Sequence, residues 1–412
     1  MLQPVSVGNK SLADYTHLVG RPLVQEIREL AEGLEGLRVL HLSATAFGGG
    51  VAEILYTLIP LMNDAGLSAE WQVMLGREEF YNATKRLHNA LQGNPDSLTD
   101  EEWEIFARYN EMNAKELSGG WDVIIVHDPQ PAAMRRHDPS KAHTWVWRCH
   151  IDLSTPNPAA IDHLIPYVKE YDASVWHVDQ YVPASLDGAA PGVHICPPAI
   201  DPLSPKNMAL SPEDAAFVCD QFGIDVDRPL LCQVSRFDPW KDPMGVIDAY
   251  RKVKEEMPEV QLALVGSMAT DDPEGWEFFN STMAYADADP DIHILNNLNN
   301  VGAIEVNAFQ SQADVVIQKS TREGFGLTVS EALWKGRPFI GGDVGGIPLQ
   351  VEDGRTGFLV SSPEECAERS LRILREPELG KRLGRSGKEH VRSHFLTPRL
   401  LRDWLRLFRE HR

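Results

Sequence analysis

Six short apolar runs on either side of one proline-rich break, with helix-forming stretches between them, leave this chain few folds to choose from. Before the break the expected strands are 37–42, 70–75, 123–127, 144–148, 174–177 and 193–196; after it they are 230–234, 261–265, 292–295, 315–318, 338–340 and 357–360. Strands that alternate with helices pair in parallel, because each crossover must be long enough to hold a helix that covers one face of the sheet. The break, Pro197-Pro198-Ala199-Ile200-Asp201-Pro202-Leu203-Ser204-Pro205, continues neither a helix nor a central strand and reads as a linker. At 412 residues the chain also exceeds what one hydrophobic core usually organises. Two α/β domains are expected, residues 1–200 and 201–396, each built on a parallel sheet. Residues 397–412 place Leu400, Leu401, Trp404, Leu405 and Phe408 at helical spacing, so this last helix must bury one face. An early helix carries Leu23, Ile27, Leu30 and Leu34 on one side, and residues 81–117 form a polar, helix-prone insertion without an assigned role.

Charge and cysteine content narrow the partners. A net charge of −21 repels nucleic acid and anionic membrane surfaces alike. Cys149, Cys196, Cys219, Cys232 and Cys366 are odd in number and irregularly spaced, with no C-x-x-C pattern, so reduced buried thiols are expected rather than disulfides or a metal knot. With no signal-like N-terminus and no membrane-length apolar run, the expected location is the cytoplasm.

The stretch Arg322-Glu323-Gly324-Phe325-Gly326-Leu327-Thr328-Val329-Ser330-Glu331 sets two carboxylates eight residues apart around a glycine-rich entry into an apolar helix. Gly324 and Gly326 allow a tight turn and a close backbone approach, and the helix that follows opens with N–H groups aimed outward, a setting for a diphosphate. Glu323 is placed to accept from sugar hydroxyls and Glu331 to chelate a ribose diol. Upstream, the expected strand 230–234 runs into Ser235-Arg236-Phe237-Asp238-Pro239-Trp240-Lys241. There Arg236 offers a planar fork and Lys241 a point charge to pyrophosphate oxygens. Two cations in a loop are usually solvated surface charges; their position at a strand's C-terminal end, where open parallel sheets bind ligands, favours the functional reading.

In the first half, Gly48-Gly49-Gly50 follows a strand and starts a helix, but it is no G-x-G-x-x-G fingerprint and no Walker lysine follows. His127-Asp128 and His150 likewise fall just after strands. Asp287 and Asp289 superficially suit a metal-bound nucleotide sugar, but their polar, proline-containing surroundings read as a solvated turn.

Taken together, Ser235-Arg236-Phe237 with Lys241, and Glu323-Gly324-Phe325-Gly326 with Glu331, resemble the signature of the retaining family 4 glycosyltransferases, whose GT-B architecture sets two Rossmann-like domains facing across a cleft. Phe47-Gly48-Gly49-Gly50-Val51-Ala52-Glu53, Val126-His127-Asp128-Pro129-Gln130-Pro131 and Trp147-Arg148-Cys149-His150-Ile151-Asp152 resemble the trehalose-forming branch of that family, and the similarity spans the whole chain. The resemblance implies glucose transfer from a nucleoside-diphosphate glucose, UDP- or ADP-linked, to free glucose. It assigns Arg236, Lys241 and Glu323 to catalysis. It gives the donor Gly48, Gly49, Gly50, His150, Gly324, Phe325, Gly326, Leu327, Thr328 and Glu331, with His150 near the 6-hydroxyl. Asp128 would hold the acceptor glucose, with Gln130 and Arg148 as weaker acceptor-side candidates. The final helix would cross back to the first domain. No permanently bound cofactor is implied, only Mg2+ accompanying the nucleotide sugar, and a homodimer is compatible with the pattern. Two alternatives differ in chemistry: a trehalose phosphorylase on the same scaffold, in which Glu331 has no ribose to hold, and a non-catalytic sugar sensor, which would have no need of Arg236 and Lys241. A related family member with another acceptor is a third.

Overall fold

The computed structural model describes residues 2–47, 49–186, 192–268 and 273–411. The chain divides into two units, Met1–Ala199 with Thr397–Arg412, and Ile200–Leu396, so the division falls inside the proline-rich stretch.

In the first unit the strands are β1 (Gln3–Pro4), β2 (Arg38–Ser43), β3 (Ser68–Val73), β4 (Trp121–His127), β5 (Ala142–Arg148), β6 (Ala173–Trp176) and β7 (Gly192–Ile195). They form one sheet in the order β1-β3-β2-β4-β5-β6-β7, parallel throughout except for β1, which pairs antiparallel with β3. The order reverses between β2 and β4. Strand β3 begins two residues earlier than the apolar run 70–75 suggests, because Ser68 N–H bonds the Leu37 carbonyl at 2.8 Å and sets its register against β2. Leu75 leaves the sheet altogether: Asn113 accepts from its N–H at 2.8 Å and donates to its carbonyl at 2.9 Å.

Residues 81–117 are part of the first core rather than an appendage. They form most of two helices, Glu78–Leu91 and Asp100–Glu116, the second opened by a reciprocal cap between Thr99 and Glu102. Phe80, Leu87, Leu91, Phe106 and Tyr109 bury beneath their polar surface. In the early helix, Arg21–Ala31, the core-facing stripe is Val24, Ile27 and Ala31; Leu23 and Leu30 only flank it, and Leu34 buries after the helix has ended. The helix Thr397–Glu410 buries Leu400, Leu401, Trp404, Leu405 and Phe408 within this same unit, packing on helices Arg21–Ala31 and Gly50–Asp64.

The second unit holds β8 (Leu230–Val234), β9 (Gln261–Gly266), β10 (Ile292–Asn296), β11 (Val315–Gln318), β12 (Phe339–Gly342) and β13 (Phe358–Val360). All neighbours are parallel, in the order β10-β9-β8-β11-β12-β13. Renumbered within the unit this is 3-2-1-4-5-6, the dinucleotide-fold order whose switch point lies between the first and fourth strands. The five cysteines are all buried free thiols. Among the described residues no helix is long and apolar enough to cross a membrane.

Candidate active site

The two motif loops of the second unit leave the C-terminal ends of β8 and β11, the strands that flank its switch point, so the topology brings together residues that are 82 apart in sequence. Lys241 ends a single 3-10 turn, Pro239–Lys241, that Asp238 caps by accepting from the N–H groups of Trp240 at 3.0 Å and Lys241 at 3.2 Å. Gln233 of β8 donates to the Lys241 carbonyl at 2.7 Å, and Thr321 N–H reaches the Trp240 carbonyl at 2.8 Å, tying the loops to each other. The Lys241 ammonium then sits 2.8 Å from the Glu323 carboxylate, with the two side chains only 13% and 10% exposed. Arg236 differs. Its guanidinium lies 3.0 Å from Asp238 but stays 63% exposed, a fork still open to a ligand.

Gly326, with φ +80°, sits just before the helix Leu327–Trp334. The N–H groups of a helix's first turn have no intrahelical carbonyl, so Leu327 and Thr328 present donors at this strand edge. Gly346 packs so close that an added Cβ would stand 2.6 Å from the Gly324 carbonyl, and its N–H donates to the Glu323 carbonyl at 3.2 Å. Gln350 donates to the Phe325 carbonyl from beneath. Gly326→Ala is expected to combine left-handed strain with a Cβ 3.1 Å from Glu323 and Val329. About 1–3 kcal/mol of stability should be lost, read as a lower urea midpoint.

Glu331, one turn into that helix, is 1% exposed. Its carboxylate faces Lys206, just past the proline-rich break, at 3.5 Å, a partner that the sequence pattern did not suggest. The neighbouring Lys335 donates to Asn207 at 3.2 Å, and burial brings its pKa down to about 8. Asp289 is not the solvated turn residue expected: Lys254 donates to both its oxygens at 2.8 and 2.9 Å, and Tyr250 donates to it at 3.2 Å.

In the first unit the switch point lies between β2 and β4. Gly49 (φ +102°) and Gly50 start a helix after β2, and Asp128 follows β4 directly; Gly48 lies outside the described residues. Asp128 adopts φ +66°, a conformation that Asp tolerates better than most residues. Three hydrogen bonds hold it there: its N–H to the Arg148 carbonyl at 2.8 Å, its carbonyl from the Trp147 indole at 3.0 Å, and its carboxylate from His150 N–H at 2.7 Å. The residue is half-buried overall, but its carboxyl is enclosed, and that burial raises its pKa to about 7 against the pull of His150 N–H and Arg148.

His150 belongs to a row of imidazoles. Its Nε2 lies 2.9 Å from His127 Nδ1, and His127 Nε2 lies 2.9 Å from His41 Nδ1. Burial lowers all three pKa values, that of His41 to about 3. Sequence reasoning named His127 but missed His41, whose only signal was a polar residue in an apolar strand. Arg148 ends β5 but is 2% exposed, with its guanidinium on the Trp176 carbonyl at 3.2 Å, and the half-buried Gln130 accepts from Asn110 through its backbone carbonyl at 3.0 Å.

These groups act on stability in opposite directions. In the unfolded chain each imidazole takes a proton near pH 6.5, but in the folded unit only far lower, so acidification below about 6.5 favours unfolding by up to about 1.4 kcal/mol per pH unit per histidine. Asp128 does the reverse, since its contribution is present below the unfolded carboxyl's range and is lost as pH rises through about 7. Three groups against one predict a urea midpoint that falls from pH 7 to pH 5; a flat profile would contradict this set of buried neutral rings.

Comparison with known proteins agrees with this geometry. Residues 41–183 match the family model "Trehalose synthase, N-terminal domain", and residues 217–390 match "Glycosyl transferases group 1". The chain is 58% identical to a trehalose synthase of Rubrobacter xylanophilus, covering 99% of both chains, and 47% identical to one of Pyrococcus horikoshii, covering 97% of this chain and 96% of that one. Among solved structures it superposes on a sucrose-phosphate synthase of Thermosynechococcus elongatus with a TM-score of 0.71 at 17% identity, over 90% of this chain and 98% of the other. The chain belongs to the trehalose synthase family of GT-B glycosyltransferases, and it is a hexosyltransferase acting on trehalose.

Proposed function

We propose that this trehalose synthase family member transfers glucose from a nucleoside-diphosphate glucose, UDP- or ADP-linked, to the anomeric hydroxyl of free glucose, reversibly and with net retention, giving an α,α-1,1 linkage. The observation that carries the proposal is the convergence of Arg236, Lys241, Glu323 and the first-turn amides of Leu327 and Thr328 at the switch point of a 3-2-1-4-5-6 sheet. That grouping suits a diphosphate whose charge grows as the sugar departs. The bond from the glucose anomeric carbon to phosphate breaks as the bond to the acceptor oxygen forms, and the acceptor's proton passes to the departing phosphate oxygen on the same face. Glu323 holds Lys241 in place and accepts from sugar hydroxyls. Within the second unit Gly324, Phe325 and Gly326 line the donor, and Glu331 reaches the ribose. Asp289 is held by Lys254, and magnesium would accompany the nucleotide sugar.

On the acceptor side Asp128 holds the incoming glucose. Because its carboxyl pKa is raised to about 7, glucose use should fall as pH drops below that value, and Asp128→Asn should both lower glucose use and flatten this limb while leaving donor binding nearly intact. An unaltered pH profile in the variant would remove Asp128 from the acceptor site. Glucose 6-phosphate should be a poor acceptor, since Arg148, the cation of the acceptor-side motifs, points its guanidinium into the protein. Competing glucose against glucose 6-phosphate over a nucleoside-diphosphate glucose tests the reading; preference for the phosphorylated sugar would overturn it.

A further inference from the structure

Away from both motif regions, the edge strand β7 and the end of the helix Thr397–Glu410 bring two histidines together, their rings edge-on at 70°. His194 Nε2 lies 3.0 Å from His411 Nε2, and His194 Nδ1 lies 3.7 Å from a Glu410 carboxylate oxygen. One ligand atom from each of the three residues lies within 4.8 Å of the other two. Two nitrogens bound to one zinc at about 2.0–2.1 Å in a tetrahedral arrangement stand about 3.3 Å apart, so the imidazole pair already has nearly the spacing of two ligands of one ion. Glu410 approaches His194 from its Nδ1 side and must swing toward Nε2 to complete the set, which its 62% exposed side chain allows.

The surroundings hold this arrangement. Thr144 of β5 donates to the His411 carbonyl at 3.0 Å, and His411 N–H continues the helix to the Leu407 carbonyl at 3.2 Å. Gly192 lies beside the rings, where an added Cβ would stand 3.6 Å from His194 Nε2 and 3.8 Å from His411 Cε1, an ordinary contact distance. A cavity of about 230 Å³, lined by His194, Cys196, Asp403 and Glu410 among others, adjoins the cluster. The nearby charges are otherwise engaged: Asp403 by Arg399 and Arg402, and Arg406 by Glu26.

We propose that His194, Glu410 and His411 bind one zinc-class divalent ion that clamps the last turn of the helix Thr397–Glu410 onto the edge of the first unit's sheet. Two imidazoles and one carboxylate select a borderline transition metal over magnesium or calcium, which prefer all-oxygen sites. The ion is distinct from any magnesium that accompanies the nucleotide, and the proposal stands whether or not the reaction proposed above is correct.

The test uses tag-free protein stripped with a chelator and titrated with zinc chloride. One zinc per chain should survive desalting, the melting temperature should rise by about 5 °C at hundredfold excess over the dissociation constant, and equal magnesium should do neither. His194→Gln and His411→Gln should each weaken zinc binding at least about tenfold and leave glucosyl transfer unchanged. His411 follows the helix and is only half-buried, so His411→Gln alone decides the matter should the other variant fold poorly. Absence of stoichiometric zinc, or unchanged affinity in the double variant because other histidines bind the ion, would overturn the proposal.

Discussion

Lys241→Ala should lower turnover by about 10²–10³-fold, the scale of removing one charge partner from a transition state, with a much smaller effect on free glucose binding. The ammonium lies 2.8 Å from Glu323 in a nearly buried pair that the Asp238 cap and Gln233 hold in position. Two roles are therefore entangled, because losing the lysine also strands a carboxylate with little access to water. Urea unfolding separates them. Lys241→Ala should destabilise the second unit, and Lys241→Ala with Glu323→Ala should recover part of that stability without recovering turnover. If the double variant regains activity along with stability, Lys241 serves only to neutralise Glu323.

Glu331→Ala should weaken nucleoside diphosphate and nucleoside-diphosphate glucose alike, at least about tenfold by calorimetry, because a charged acceptor to a ribose diol contributes roughly 1.5–3 kcal/mol. The residue is 1% exposed and pairs with Lys206, so its removal also leaves two lysines without their carboxylate neighbour. Lys335, with a pKa already down to about 8 through burial and held up by Glu331, should become easier to deprotonate in the variant. Free glucose affinity should not change. Equal nucleotide affinity in variant and wild type would take Glu331 out of the site and leave it a structural partner of Lys206.

Most strands were legible because β8, β11 and their neighbours are short apolar runs bounded by polar turns, and both motif loops announce themselves by glycine and charge. Strand order was not legible. Placing Arg236 and Lys241 beside Glu323 depends on β11 returning to the far side of β8, a crossover that no local pattern records. The inward turn of Arg148 was hidden for another reason: β5 is buried on both faces from Thr144 onward, so no alternation marks which way its last residue points. The stretch 81–117 reads as polar because each of its helices buries only one stripe, and β1 is two residues long, too short for any period. Asp289 looked solvated because its partner Lys254 lies 35 residues away on another element.

The central claim is tested most directly by supplying UDP-glucose or ADP-glucose with glucose carrying 13C at its anomeric carbon, and following the products by NMR. A non-reducing disaccharide should form, with the label at one of two α anomeric carbons and one nucleoside diphosphate released per sugar transferred. The reverse reaction, from trehalose and nucleoside diphosphate, should run at a measurable rate. Failure of every nucleoside-diphosphate glucose to label trehalose, while inorganic phosphate converts trehalose to glucose 1-phosphate, would contradict the account and assign the same scaffold to phosphorolysis.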